Sequence, residues 1–132
     1  MSEATVEATR ELIDAFNSRN VEALAALFAP EAEIIPIRAA VEDVSYSGPD
    51  LATKWIAAID EAWDHLTAEP GEIRDLGDRV LGIGRVHGRG RASGAEIDVE
   101  AVFIARFDGE RITHLRLSTD VSGTLEAAGL SE

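Results

Sequence analysis

Residues 79–120, RVLGIGRVHGRGRASGAEIDVEAVFIARFDGERITHLRLSTD, constrain the fold of this chain more than any other segment. They read as three long strands joined by two tight hairpins. Asp108-Gly109 is the strongest short hairpin signal, and Ala92-Ser93-Gly94 suits a three-residue loop with Gly94 left-handed. Taking Asp108-Gly109 as the turn pairs Phe107 with Glu110 and, counting back, Phe103 with His114, Ala101 with Arg116 and Val99 with Ser118. The three-residue loop pairs Arg91 with Ala95 and sets Ile83 opposite Phe103, Arg85 opposite Ala101 and His87 opposite Val99. Directly paired residues share a face. This register predicts that Arg85 and Arg116 point inward, roughly 10 Å apart across the small Ala101, with His87 and His114 at either end. A floor of that kind implies a wet pocket able to bracket an anion or a cluster of polar oxygens. With a two-residue first turn, Arg85 and His87 would flip to the outer face. That face of the central strand reads Asp98, Glu100, Val102, Ile104 and Arg106, a mixture suited to solvent or a subunit contact.

Upstream, Val6, Thr9, Leu12, Ile13 and Phe16 form a helical stripe. Asn20 suits the N-cap of a second helix carrying Val21, Leu24, Leu27 and Phe28, stopped by Pro30. Residues 33–37 are a strand candidate, and residues 38–48 are irregular, holding Glu42, Asp43 and Tyr46. Gly48-Pro49-Asp50 opens a third helix, whose stripe is Leu51, Trp55, Ile59 and Trp63. Residues 65–76 form a weaker strand broken at Pro70-Gly71, and Thr124–Ala128, closed by Gly129, is a short helix or turn. The order predicts a single α+β domain over residues 1–132, with helices on one face of a curved antiparallel sheet.

With 132 residues there is room for one core. The 45% hydrophobic and 28% charged fractions are those of a folded chain. A net charge of −13 argues against nucleic acid or an anionic membrane as partner. The basic residues nonetheless concentrate in the sheet, with eight of the twelve at residues 74–116. Without cysteine there is no disulfide, thiolate metal site or Cys nucleophile. The N-terminus has no signal-peptide pattern and no apolar run approaches a membrane span, so a cytoplasmic protein is expected. The glycines at 82, 84, 88 and 90 lie inside a strand and are no phosphate loop. His87 and His114 stand too far apart to share a metal, and neither a metal nor a cofactor is expected.

Ala15-Phe16-Asn17, Asn20-Val21-Glu22-Ala23-Leu24, Leu27-Phe28-Ala29-Pro30-Glu31-Ala32, Ser47-Gly48-Pro49, Phe107–Ile112 and Asp120 together resemble the nuclear transport factor 2-like superfamily, in its SnoaL-like polyketide cyclase and ketosteroid isomerase branch. The resemblance spans nearly the whole chain. It implies a cone-shaped barrel, a curved antiparallel sheet packed against three helices around a pocket, often as a homodimer built on the outer sheet face. It specifies no one reaction, since the fold hosts isomerases, cyclases, dehydratases and non-enzymatic modules. Where ketosteroid isomerase-like enzymes carry an Asp base, a Tyr and a protonated Asp, this chain aligns Pro36, Leu12 and Phe103. The Arg-x-Asp pair of epoxide hydrolases of this fold is also missing.

Two function classes follow. One is a small-molecule enzyme of cyclase, isomerase or dehydratase type, using general acid/base chemistry on a polar or carbonyl-bearing substrate. In it His114, His87 or Asp120 moves the proton, and Arg85 and Arg116 hold an oxyanion. The other is a non-catalytic small-molecule-binding or structural dimer module. Tyr46, Trp55, Phe16, Leu12, Ile59 and Phe103 are the expected pocket walls in both. The bland alternative for the arginines is an ion pair with Asp120, Glu42 or Asp43. For His65 it is a favourable contact with the third helix's C-terminal dipole.

Overall fold

The computed structural model describes residues 3–40 and 42–129, apart from the side chains of Arg38 and Ala40. Helices α1 (Glu3–Ser18) and α2 (Val21–Leu27) come first, then strand β1 (Phe28–Ile35), a 3-10 turn at Ile37–Ala40 and the short strand β2 (Tyr46–Ser47). Helix α3 (Leu51–Ala62) precedes the long strands β3 (Trp63–Asp75), β4 (Arg79–Gly90), β5 (Glu96–Asp108) and β6 (Arg111–Ser118), and α4 (Val121–Ala127) closes the chain. The strands form one curved, unclosed six-stranded sheet ordered β2-β1-β6-β5-β4-β3. It is antiparallel except where β1 runs parallel to β6. The α+β reading holds; the sheet stays open and the helices number four among the described residues.

Local chemistry accounts for the helix ends. The Asn20 side chain accepts from the Ala23 amide at 3.1 Å and starts α2 as expected. Helix α3 stops one residue short of its stripe: Trp63 has ψ 136 and begins β3. His65, expected at the helix end, therefore lies in β3 opposite Arg89. Arg91 is drawn to the end of α3, its amide donating to Ala62 O at 3.0 Å. The Arg91 guanidinium donates to Asp60 O at 2.8 Å and Trp63 O at 3.1 Å, a cation on the negative end of the helix.

That interaction corrects the first hairpin. Gly90 N donates to Ala95 O at 2.9 Å and Gly94 N to Gly90 O at 2.9 Å, so the loop is residues 91–94. Gly94 is left-handed as expected, with φ 71. One extra loop residue shifts the register: Arg85 pairs with Glu100, His87 with Asp98 and Val86 with Val99. The second hairpin differs in two ways. Asp108 pairs with Arg111, so Gly109 (φ 66) and Glu110 form the turn. Between the Phe107–Ile112 and Arg106–His114 pairs, Thr113 is an extra residue. The turn shift preserves the facing of β6, but the bulge reverses it. Ile112 and Leu115, three positions apart, are consequently both buried, at 0% and 1% exposure.

The principal core lies between the inner sheet face and helices α1–α3, built on Leu12, Phe16, Leu24, Ile34, Trp55, Ile56, Ala105, Ile112 and Leu115. Its helices are tied to β3 by Asn17, whose side chain donates to Ala68 O and accepts from Ala68 N, both at 2.8 Å. A second cluster forms on the outer sheet face, where Leu125 of α4 covers Leu81 and Val102, with Ile83 and Ile104 beside them. Fully burying each such side chain stabilises the fold by about 1.5–3 kcal/mol. The outer face is thus half apolar and capped by α4, and half polar along the upper strands.

Candidate functional site

Inside the cone is a cavity of about 230 Å3. Helix α1 contributes Leu12, Ile13 and Phe16, and α3 contributes Trp55, Ala58, Ile59 and Ala62. Pro36, Ile37 and Tyr46 come from the segment after β1. The sheet supplies Trp63, Leu66, Ala68, Val86, Ile97, Val99, Phe103, Leu115 and Leu117, and Thr119 stands at its edge. Both tryptophans, the single tyrosine and two of the four phenylalanines are on this wall. Phe16 and Trp55 meet with ring centroids 5.1 Å apart at 36°. Arg19 fixes that corner: its guanidinium lies 4.8 Å from the Phe16 ring, donates to Phe16 O and Leu66 O at 2.6 and 2.7 Å, and pairs with Asp60 at 3.1 Å. Val99 faces inward yet is 38% exposed, marking the open side of the cavity.

The wall carries no Asp, Glu, His, Lys or Arg among the described residues. Hydroxyls come from Tyr46 and Thr119, and indole N–H groups from Trp55 and Trp63. The cavity is aromatic, apolar and uncharged, opposite in character to the basic floor expected from the sequence.

Six of the expected wall residues do come together here: Leu12, Phe16, Tyr46, Trp55, Ile59 and Phe103. The charged candidates do not join them. Arg85 turns to the outer face, where its Nε donates to Asp98 Oδ1 at 2.7 Å and its Nη2 to Asp98 O at 3.0 Å. Its carboxylate partner is thus Asp98, not Asp120, Glu42 or Asp43. His87 sits beside it, Nδ1 3.3 Å from Asp98 and Nε2 3.8 Å from Glu69. The Arg85 hydrogen bond holds the Asp98 carboxyl below its ordinary range, while Arg85 is raised by the same bond. His114 and Arg116, paired with Arg106 and Ile104, face outward because of the Thr113 bulge. Asp120 is the N-cap of α4, accepting from the Gly123 amide at 3.0 Å.

Val99 lines the cavity on the inward face expected of it, but several wall residues were missed, chiefly Val86, Ile97, Leu115 and Leu117. A signal for them was present: Gly82, Gly84, Val86 and Gly88 on β4, with Ile97, Val99, Ala101, Phe103 and Ala105 on β5, form one uncharged face. Choosing the strand faces by apolarity rather than by loop length finds it. Among the described residues no group of His, Cys, Asp or Glu could hold a metal ion, and no helix is long and apolar enough to cross a membrane.

Comparison with known proteins agrees with this architecture. An NTF2-like protein of unknown function from Burkholderia pseudomallei superposes with a TM-score of 0.80 at 19% identity, covering 96% of this chain and 97% of that one. A protein of ketosteroid isomerase-like fold from Catenulispora acidiphila, crystallised with trimethylamine, gives 0.77 at 22% identity, covering 96% and 95%. A putative polyketide cyclase from Sinorhizobium meliloti gives 0.69 at 25% identity, covering 85% and 94%. No curated protein matches the sequence. The SnoaL-like domain model matches residues 9–115, which include every helix and strand of the cavity wall in whole or part, and the chain belongs to the SnoaL-like domain family.

Proposed function

We propose that this chain is a small-molecule-binding member of its family whose cavity takes a compact, largely apolar ring compound carrying a neutral polar group. The observation that carries this reading is the uncharged aromatic wall around about 230 Å3. That volume lies below the ~300–1,000 Å3 of ordinary ligand pockets, which restricts the ligand to a compact one. Burial of the ligand's apolar surface would drive association at about 25 cal/mol per Å2. Tyr46, Thr119 or an indole N–H would orient its polar group.

General acid/base catalysis by His114, His87 or Asp120 gains no support from this geometry, because none of the three lines the cavity. The positions aligned with the isomerase's proton-handling residues do line it, as Pro36, Leu12 and Phe103. None of those side chains carries a labile proton. The non-catalytic reading is therefore the better of the two.

Trp55 and Trp63 are the chain's only tryptophans and both border the cavity, so intrinsic fluorescence reports its occupancy directly. Titration with phenol and the cresols, excited at the red edge of the indole band, should quench or shift that emission saturably. Ala58→Phe, which fills the cavity from α3, should weaken binding by tenfold or more while the fold persists. Emission that no ring compound alters, or binding that Ala58→Phe leaves intact, would remove this reading.

A further inference from the structure

Beside the main cavity lies a second hollow of about 70 Å3, and Phe103 belongs to the walls of both. Its placement follows from the strand register. Phe103 pairs directly with Gly82 across β4 and β5. A Cβ added to Gly82 would fall 2.4 Å from the ring's Cε2 and 2.5 Å from its Cζ. The ring therefore lies against bare backbone, the packing by which an aromatic residue covers a strand glycine. Gly82, Gly84 and Ala101 line the hollow, and Phe103 is the bulkiest of the six residues that border both spaces, the others being Ile13, Ile37, Ala68, Val86 and Leu117.

Volume decides what each space can hold. An apolar cavity of ~150 Å3 accommodates benzene. The main cavity, at about 230 Å3, takes one ring with short substituents. The hollow, at about 70 Å3, takes an alkyl fragment and no ring. A substituent growing from a ring in the main cavity towards the hollow meets this shared wall, of which the Phe103 ring is the largest part.

We propose that Phe103 sets the length of the ligand, confining this protein to single-ring compounds with short substituents by closing off the hollow behind it. The inference rests on the small-molecule-binding reading above and names the ligand class of that same site. The residue thus acts by shape, where the related isomerases are expected to place a proton donor.

The test is a series of 4-alkylphenols from ethyl to octyl, titrated by tryptophan fluorescence. Wild-type affinity should rise with chain length, reach a limit and then fall. In Phe103→Ala the hollow and cavity merge, and the limit should move outward by at least two methylenes. Each added methylene should strengthen binding about fourfold, the worth of burying one CH2. Phe103→Leu, a milder change should the alanine variant unfold, should move the limit part of the way. Gly82→Ala should move it inward, because its Cβ forces the ring into the main cavity. Binding by all variants with the wild-type limit would overturn length selection and leave the binding reading standing. Wild-type protein that binds no member of the series would overturn both.

Discussion

At Asp98 one carboxylate accepts from Arg85 at 2.7 Å and faces His87 Nδ1 at 3.3 Å, so a single acidic side chain on β5 holds two basic ones on β4. Its pKa is lowered, first by the Arg85 hydrogen bond and further by the Arg85 and His87 charges. The sign of the pH effect follows. A carboxyl whose folded pKa lies below its unfolded value of about 3.9 adds stability that is fully present above that value. That stability is lost as pH falls through the folded pKa. Asp98→Asn should therefore lower the urea midpoint at pH 7, and the gap from wild type should close below about pH 4, in the range where Asp98 itself protonates. A gap that stays constant down to pH 2 would show that Asp98 acts through packing instead. Since the pair is solvent-exposed, high salt should shrink the effect too.

The hairpins decide which residues the cavity receives, and here the limits of the sequence have a physical cause. Helix periodicity made Leu12, Phe16, Trp55 and Ile59 legible, because three to four residues per turn fixes a face without reference to distant chain. Strand faces have no such tolerance: one residue more in a loop, or one bulge, reverses every side chain beyond it. The 91–94 loop gained its extra residue through a tertiary contact, since Arg91 leaves the ladder to bind the carbonyls at the end of α3. The Thr113 bulge keeps Ile112 and Leu115 both in the core. Neither event is marked in the local sequence, so the positions of Arg85, His87, His114 and Arg116 were not. Arg91→Ala should cost about 1–2 kcal/mol in urea unfolding, from the lost helix-end charge and charged hydrogen bonds. Arg91→Lys should recover only part, because it keeps the charge but not the planar fork that reaches both Asp60 O and Trp63 O. Full recovery by lysine would mean that charge alone holds the loop.

Across the molecule, charge and cavity are separated: the chain carries a net charge of −13, yet none of the described residues lining its aromatic cavity is an acid or a base of the Asp, Glu, His, Lys or Arg kind. That separation predicts a ligand preference opposite to that of a basic floor. With inward arginines, an aromatic carboxylate would outbind its neutral counterpart. In the cavity observed here, a carboxylate finds no cationic partner among the described wall residues, and an unpaired charge in apolar surroundings is strongly disfavoured. The protein's overall negative field adds to the exclusion. Benzyl alcohol and benzoate, nearly equal in size, separate the two cases. Benzyl alcohol should bind with an affinity that changes less than about twofold between pH 5 and 8, since the described wall residues include no carboxyl or imidazole group. Benzoate should bind only as its neutral acid, so its apparent affinity should fall about tenfold for each pH unit above a carboxyl pKa of about 4. Benzoate that binds more tightly than benzyl alcohol at pH 7, with an affinity that falls as salt is added, would place a cation at the cavity and restore the anion-binding site first read from the strands.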